Sequence, residues 1–244
     1  PGGSDFAEVV FSGGSYVFGG TDATTTQSLT IQSGSVTFPS GTLAVGGDLQ
    51  NLAGAIAHNT SELIITATTS ALVLASGSDL YAVTFVGGGA YLMSDGNVTL
   101  LDDFTITNGT VSFATGTLAV GGSFDASGGT FAYDGSATGT VLFNSADTGE
   151  IIDAGTSSFY AVQIGAPAGG YTMVSSATTT SNYSLLSAND FTLQSGETLY
   201  VGGAFFNTVG GSATTWSGST LALDGANAYT INDKSDAGDQ YDTL

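Results

Sequence analysis

Few side chains in this sequence are equipped for chemistry. It holds one histidine, His58, and no cysteine, and Lys234 is the only basic residue beside 21 acidic ones. A lone imidazole without thiolates does not make a zinc site. No G-x-S-x-G context supplies an activated serine for a Ser-His-Asp triad. At positions corresponding to His58 in the other repeats stand Tyr133, in FAYDGS, and Trp216, in TTWSGS. A place that accepts three different rings reads as a ring packed on the surface or lining a turn.

Carboxylates are the remaining candidates, because paired acids can hydrolyse glycosides. Asp102-Asp103 and Asp190 recur at one repeat position, just ahead of a strand-opening Phe. Adjacent residues on a strand point to opposite faces, so Asp102 and Asp103 are not expected to share a site. They read as turn residues at strand starts. The densest acidic run is DKSDAGDQYD, where Asp233, Asp236, Asp239 and Asp242 fall at intervals of three. Hard cations need several oxygens converging from one loop, so Asp233, Asp236 and Asp239 are the calcium candidates. The run is neither an EF-hand loop nor a G-G-x-G-x-D calcium roll. No other cofactor, and no enzyme activity, is expected. Four N-x-S/T sequons stand at Asn59, Asn97, Asn108 and Asn182, acceptors for glycosylation where the source has the machinery.

The net charge of −20 leaves nothing to neutralise phosphates, which excludes nucleic acid and anionic membrane surfaces as partners. No run of 18 apolar residues provides a membrane-spanning helix. The opening PGGSDFAEVV has neither a basic nor an apolar leader region. A signal already removed, or a section of something longer, is expected.

What must position any site is a repeat. SLTIQSGSVTFPSGTLAVGG (28–47) returns as DFTITNGTVSFATGTLAVGG (103–122), identical at 12 of 20 positions, and in shortened form as DFTLQSGETLYVGG (190–203). Within it Leu29 and Ile31, Val36 and Phe38, and Leu43 and Val45 alternate with small polar residues. Period two marks strands with one buried face. Gly and small polar residues supply a bend roughly every seven residues, which predicts three-sided coils of about 20–24 residues.

A larger element, DFAEVVFSGGSYVF, recurs as DLYAVTFVGGGAYLM and SFYAVQIGAPAGGYTM. Phe6, Tyr81, Tyr160 and Tyr241 mark its copies. The expectation is an all-β parallel solenoid over 1–244. Its repeats run about 5–78, 79–157 and 158–238, with a fourth starting at 239–244 and about eleven coils in all. The stretch 178–189 reads as a loop or an extra turn. Tandem immunoglobulin-like sandwiches are the alternative, against which stand the closely spaced turns and the missing linkers.

The L-T-I…G…V-x-F…G-T-L-x-V-G-G run resembles the coils of bacterial surface and secreted β-helix proteins: autotransporter passengers, filamentous-haemagglutinin-like adhesins and large repetitive surface proteins. The resemblance implies an extracellular or cell-surface location and a role in adhesion or an outer layer. The expected function is therefore structural or adhesive, an acidic rod within a surface fibre, sheath or adhesin stalk. Its expected partners are itself, head to tail, or covalent neighbouring repeats, with glycans or a host surface beyond. A carbohydrate-binding module using Tyr200, Tyr183 and Trp216 as outward platforms is the rival reading, and a polysaccharide hydrolase the third.

Overall fold

The computed structural model describes residues 5–133, 138–223 and 241. Every paired strand among them runs parallel to its neighbour, one coil away. Sandwiches built on antiparallel hairpins are thereby excluded. The chain winds as a β-solenoid of about eleven three-sided turns, and its only helix among these residues is the single 3-10 turn Gly211–Ala213.

Each coil visits three faces in order. The first face carries Ala23–Thr25, Thr42–Val45, Glu62–Ile65, Ala82–Phe85, Phe104–Ile106, Phe124–Asp125 and Glu150–Asp153, and continues through the ends of the long strands Ala161–Met173 and Tyr183–Leu193. The second face carries the start of Leu29–Thr37, then Leu49–Asn51, Ala71–Leu74, Ala90–Met93 and Thr110–Phe113. The third carries Gly54–Ala57, Asn97–Leu100, Gly116–Val120 and Gly139–Phe143. Along the first face the partners Ala23, Leu43, Leu63, Val83, Phe104 and Phe124 lie 20 or 21 residues apart. The next step, Phe124 to Ile152, takes 28.

Alternation explains the core. Leu29, Ile31, Val36, Leu43 and Val45 are fully buried, while the residues between them face out. With a rise of roughly 4.8 Å per coil, eleven coils make a rod about 50 Å long. At some bends the coils approach so closely that only glycine fits. Gly34 adopts φ +90°, and a side chain there would run into Gly13 and Gly14 of the coil before.

The repeated sequence and the coil do not share a period. Leu43, Leu118 and Leu199 are all fully buried, as the alignment of the repeats predicts. They lie on the first, third and second faces respectively. Val45, Val120 and Val201 follow suit. Each copy spans eleven faces, one short of four coils, so each is turned by one face against the last. The stretch 178–189 is no loop. It supplies Ala177–Thr179 on the second face and the Tyr183–Leu185 segment on the third, one face more than its counterpart Asn97–Leu100. The shortened copy at 190–203 then lacks one face, which restores the count.

Candidate functional site

The ionisable groups gather at the corners, where one coil's side chains meet the backbone of the next. An oxygen at a strand start accepts the N–H of the residue about one coil later. Asp22 takes the Thr42 N–H (2.9 Å) and the Thr42 hydroxyl (2.9 Å). Asp48 takes the Leu72 N–H (2.8 Å), Asp103 that of Ser123 (2.7 Å), and Ser28 that of Asp48 (3.1 Å). Buried Asp95 binds two, from Ala75 (2.6 Å) and Ser76 (3.0 Å). With no Lys or Arg among the described residues, the carboxylates find hydrogen-bond donors instead of ion pairs. The aspartates thus clamp successive coils, a task beyond forming a turn. The hydrogen bonds from Thr42, backbone first, hold the Asp22 carboxyl below its usual range.

The most crowded corner joins the third face to the first and contains His58, Glu62, Tyr81, Asp102 and Asp103. The expectation that Asp102 and Asp103 diverge is overturned. They sit in the turn after Asn97–Leu100, where strand alternation does not apply. Both Oδ1 atoms border the space left by Gly122, so the two carboxyls face one side. Lost hydration raises the Asp103 carboxyl above its ordinary range, the Ser123 N–H opposes this, and the Asp102 and Glu62 charges add to it. The Asp102 carboxylate beside it, as acceptor and as charge, raises the Tyr81 phenol, and the Asp103 and Asp147 charges add to this. The His58 and Tyr81 rings lie nearly parallel, 20° apart with centroids at 5.9 Å. His58 Nδ1 accepts the Thr60 N–H (3.1 Å) and so serves its own turn.

Among the described residues no three His, Asp or Glu side chains converge as metal ligands would. The calcium candidates Asp233, Asp236 and Asp239 lie outside the described residues, as does Lys234.

The sequons are all exposed. Asn97 and Asn182 use their amide oxygens as clamps, on Thr117 N–H (3.0 Å) and Ala204 N–H (2.9 Å). Their nitrogens, the atoms a glycan would take, are on the other arm of the amide. Asn59, in a left-handed turn at φ 51°, donates its Nδ2 to the Phe38 carbonyl (3.3 Å). Asn108 caps a tight bend through Gly109.

The aromatic platforms need correction. Tyr200 is outward and 44% exposed, but Tyr183 and Trp216 are buried in the lumen. They pack there against Phe205, with Tyr183 near parallel to it and Trp216 edge-on. Tyr183 alternates with Ser184 on the third face, so its inward direction follows from the same period-two rule as the rest of the core.

Residues that sequence reasoning missed are two serines. At two places the ladder between coils breaks, and a hydroxyl stands in for a carbonyl. Ile56 N–H donates to Ser78 Oγ (3.1 Å), and Phe131 N–H to Ser157 Oγ (2.8 Å). Ser78 and Ser157 each immediately precede the recurring D-L-Y-A-V and S-F-Y-A-V elements. That shared position was the available signal.

No protein family, curated protein or solved structure matches the chain.

Proposed function

We propose that the chain is a structural or adhesive rod, a stiff acidic element of an extracellular fibre, sheath or adhesin stalk that works by stacking coil on coil. The observation that carries this reading is the lumen: eleven rungs on the first face close over one continuous apolar core, with the ionisable groups spent on clamping coils together. Supporting it, the first described coil leaves Phe6, Tyr16 and Val17 exposed around a cavity of about 250 Å³. A further parallel rung, from a second copy or a covalent neighbour, has the chemistry to cover them. The outer wall, rich in Thr, Ser and Asp, suits a hydrated exterior.

Electron microscopy and sedimentation over rising concentration test the stacking. Lengthening rods are expected, and they should shorten when Phe6 and Tyr16 are replaced by lysine. Single particles about 50 Å long at every concentration would remove end-to-end assembly. A glycan-array signal lost on Tyr200→Ala would favour the carbohydrate-binding reading instead.

A further inference from the structure

We infer that Asn108 is a site of spontaneous backbone rearrangement, at which the side-chain amide is lost and aspartate or isoaspartate is left in its place. The inference stands apart from the rod reading and does not depend on it.

The stacking of coils imposes the labile pair. Asn108 is exposed on the bend between Phe104–Ile106 and Thr110–Phe113. Gly109 follows it at φ +90°. A Cβ at 109 would come within 2.5 Å of the Gly89 carbonyl and 2.9 Å of that of Gly87. Only glycine fits, and glycine has no side chain to shield its own nitrogen. That nitrogen is aimed at the preceding side chain: Gly109 N–H donates to Asn108 Oδ1 at 2.8 Å, which places it beside Cγ.

Three other described asparagines, Asn51, Asn182 and Asn207, lack this arrangement. The N–H after Asn51 belongs to Leu52 and is held by the Ile31 carbonyl (2.8 Å). The N–H after Asn182 is held by Ala204 (3.0 Å), and that after Asn207 by Leu185 (2.8 Å). A nitrogen fixed in a ladder between coils cannot turn onto its neighbour.

The step balances with water alone. The Gly109 nitrogen bonds to Asn108 Cγ and gives up its proton, and the Cγ–Nδ2 bond breaks as ammonia departs with that proton. The resulting five-membered imide takes up water at either carbonyl: the hydroxyl goes to carbon and the proton returns to the Gly109 nitrogen. Opening at one carbonyl gives aspartate, at the other isoaspartate. Both add a negative charge to an acidic wall. The isoaspartyl form also lengthens the main chain by one bond where Gly109 nests against Gly89, loosening the Thr110 N–H to Gly89 bond of 3.0 Å. A glycan on Asn108 would occupy the departing nitrogen and block the reaction.

The test incubates the folded protein at mildly alkaline pH, beside a flexible peptide spanning 106–113. Cleavage at aromatic residues, mass spectrometry and enzymatic methylation of isoaspartate then locate the product. The folded protein is expected to convert Asn108 within about tenfold of the peptide's rate, equivalent to about 1.4 kcal/mol of barrier, with Asn51, Asn182 and Asn207 unchanged. Asn108→Gln should remove the signal and leave the melting curve in place. Conversion slower than the peptide by more than about tenfold, or spread equally over all four asparagines, would overturn the inference.

Discussion

The first face and the second solve the same stacking problem differently. The first keeps its backbone ladder through every described coil, even across the 28-residue step from Phe124 to Ile152. The second lets its ladder break over that same step, and Ser157 bridges it with a hydroxyl. The third face breaks one repeat earlier, at Ser78. A break in one face's ladder is therefore spanned by an unbroken ladder on another. One face always carries the register while another yields. Buried N–H groups must be paired, and a serine placed at the seam does this without a strand.

The contrast breaks most visibly if a charge is put into a ladder. Val120 is fully buried between Leu100 and Phe143, so Val120→Asp should unfold the rod, locally or wholly, in circular dichroism and proteolysis. Next comes ring removal beside the seam. Phe124 contacts Phe104, Phe131, Phe143 and Phe159, with centroids between 5.0 and 5.9 Å. Phe124→Ala should cost about 3–5 kcal/mol in denaturant unfolding. Leu43→Ala, in the regular coils, should fall at or below that. Ser157→Ala strands the Phe131 N–H and should cost about 1–3 kcal/mol. If it costs nothing, the hydroxyl is not what seals the seam.

Alkali sharpens the comparison further. Burial raises the phenols of Tyr91, Tyr133, Tyr171 and Tyr183, that of Tyr171 to about 12. The fold favours the neutral phenol. Its contribution is complete below the unfolded value near 10 and is lost as pH rises toward the folded one. Across that window Tyr171 alone should remove about 1.4 kcal/mol per pH unit. Tyr171→Phe should flatten the pH dependence, although it forfeits the bonds to Ser145 N–H and the Val120 carbonyl. The smallest effect is screening. At a net charge of −20, molar salt or calcium should raise Tm by about 2–4 °C. A flat response would mean that the corner clamps already offset the repulsion.

Much of this was legible in the sequence, and the failures have physical causes. The inward columns of Leu29, Leu43 and Val120 follow from alternation and from the repeats. The behaviour of Asp102 and Asp103 does not, because alternation stops at a turn and the backbone there turns both carboxyls to one side. Tyr183 and Trp216 were misplaced outward, since an amphipathic ring suits either side and only strand phase decides. The seam serines were hidden because one hydroxyl among many looks like surface until its donor, a whole coil away in space, is known. The turning of each repeat against the last needs the coil length, which only the pairing supplies.

That turning has a consequence for how the rod presents itself. A feature encoded once per repeat appears on each side of the column in succession, a third of a turn around and nearly four coils further along. Three copies complete the circuit. His58, Tyr133 and Trp216, three rings at one repeat position, accordingly stand toward three different directions, with Trp216 drawn into the lumen. Duplication has written a coarse screw over the fine winding of the chain. A rod patterned in this way has no front or back. Whatever approaches it meets every part of the repeat from some direction, and no single side carries all its strong or all its weak elements.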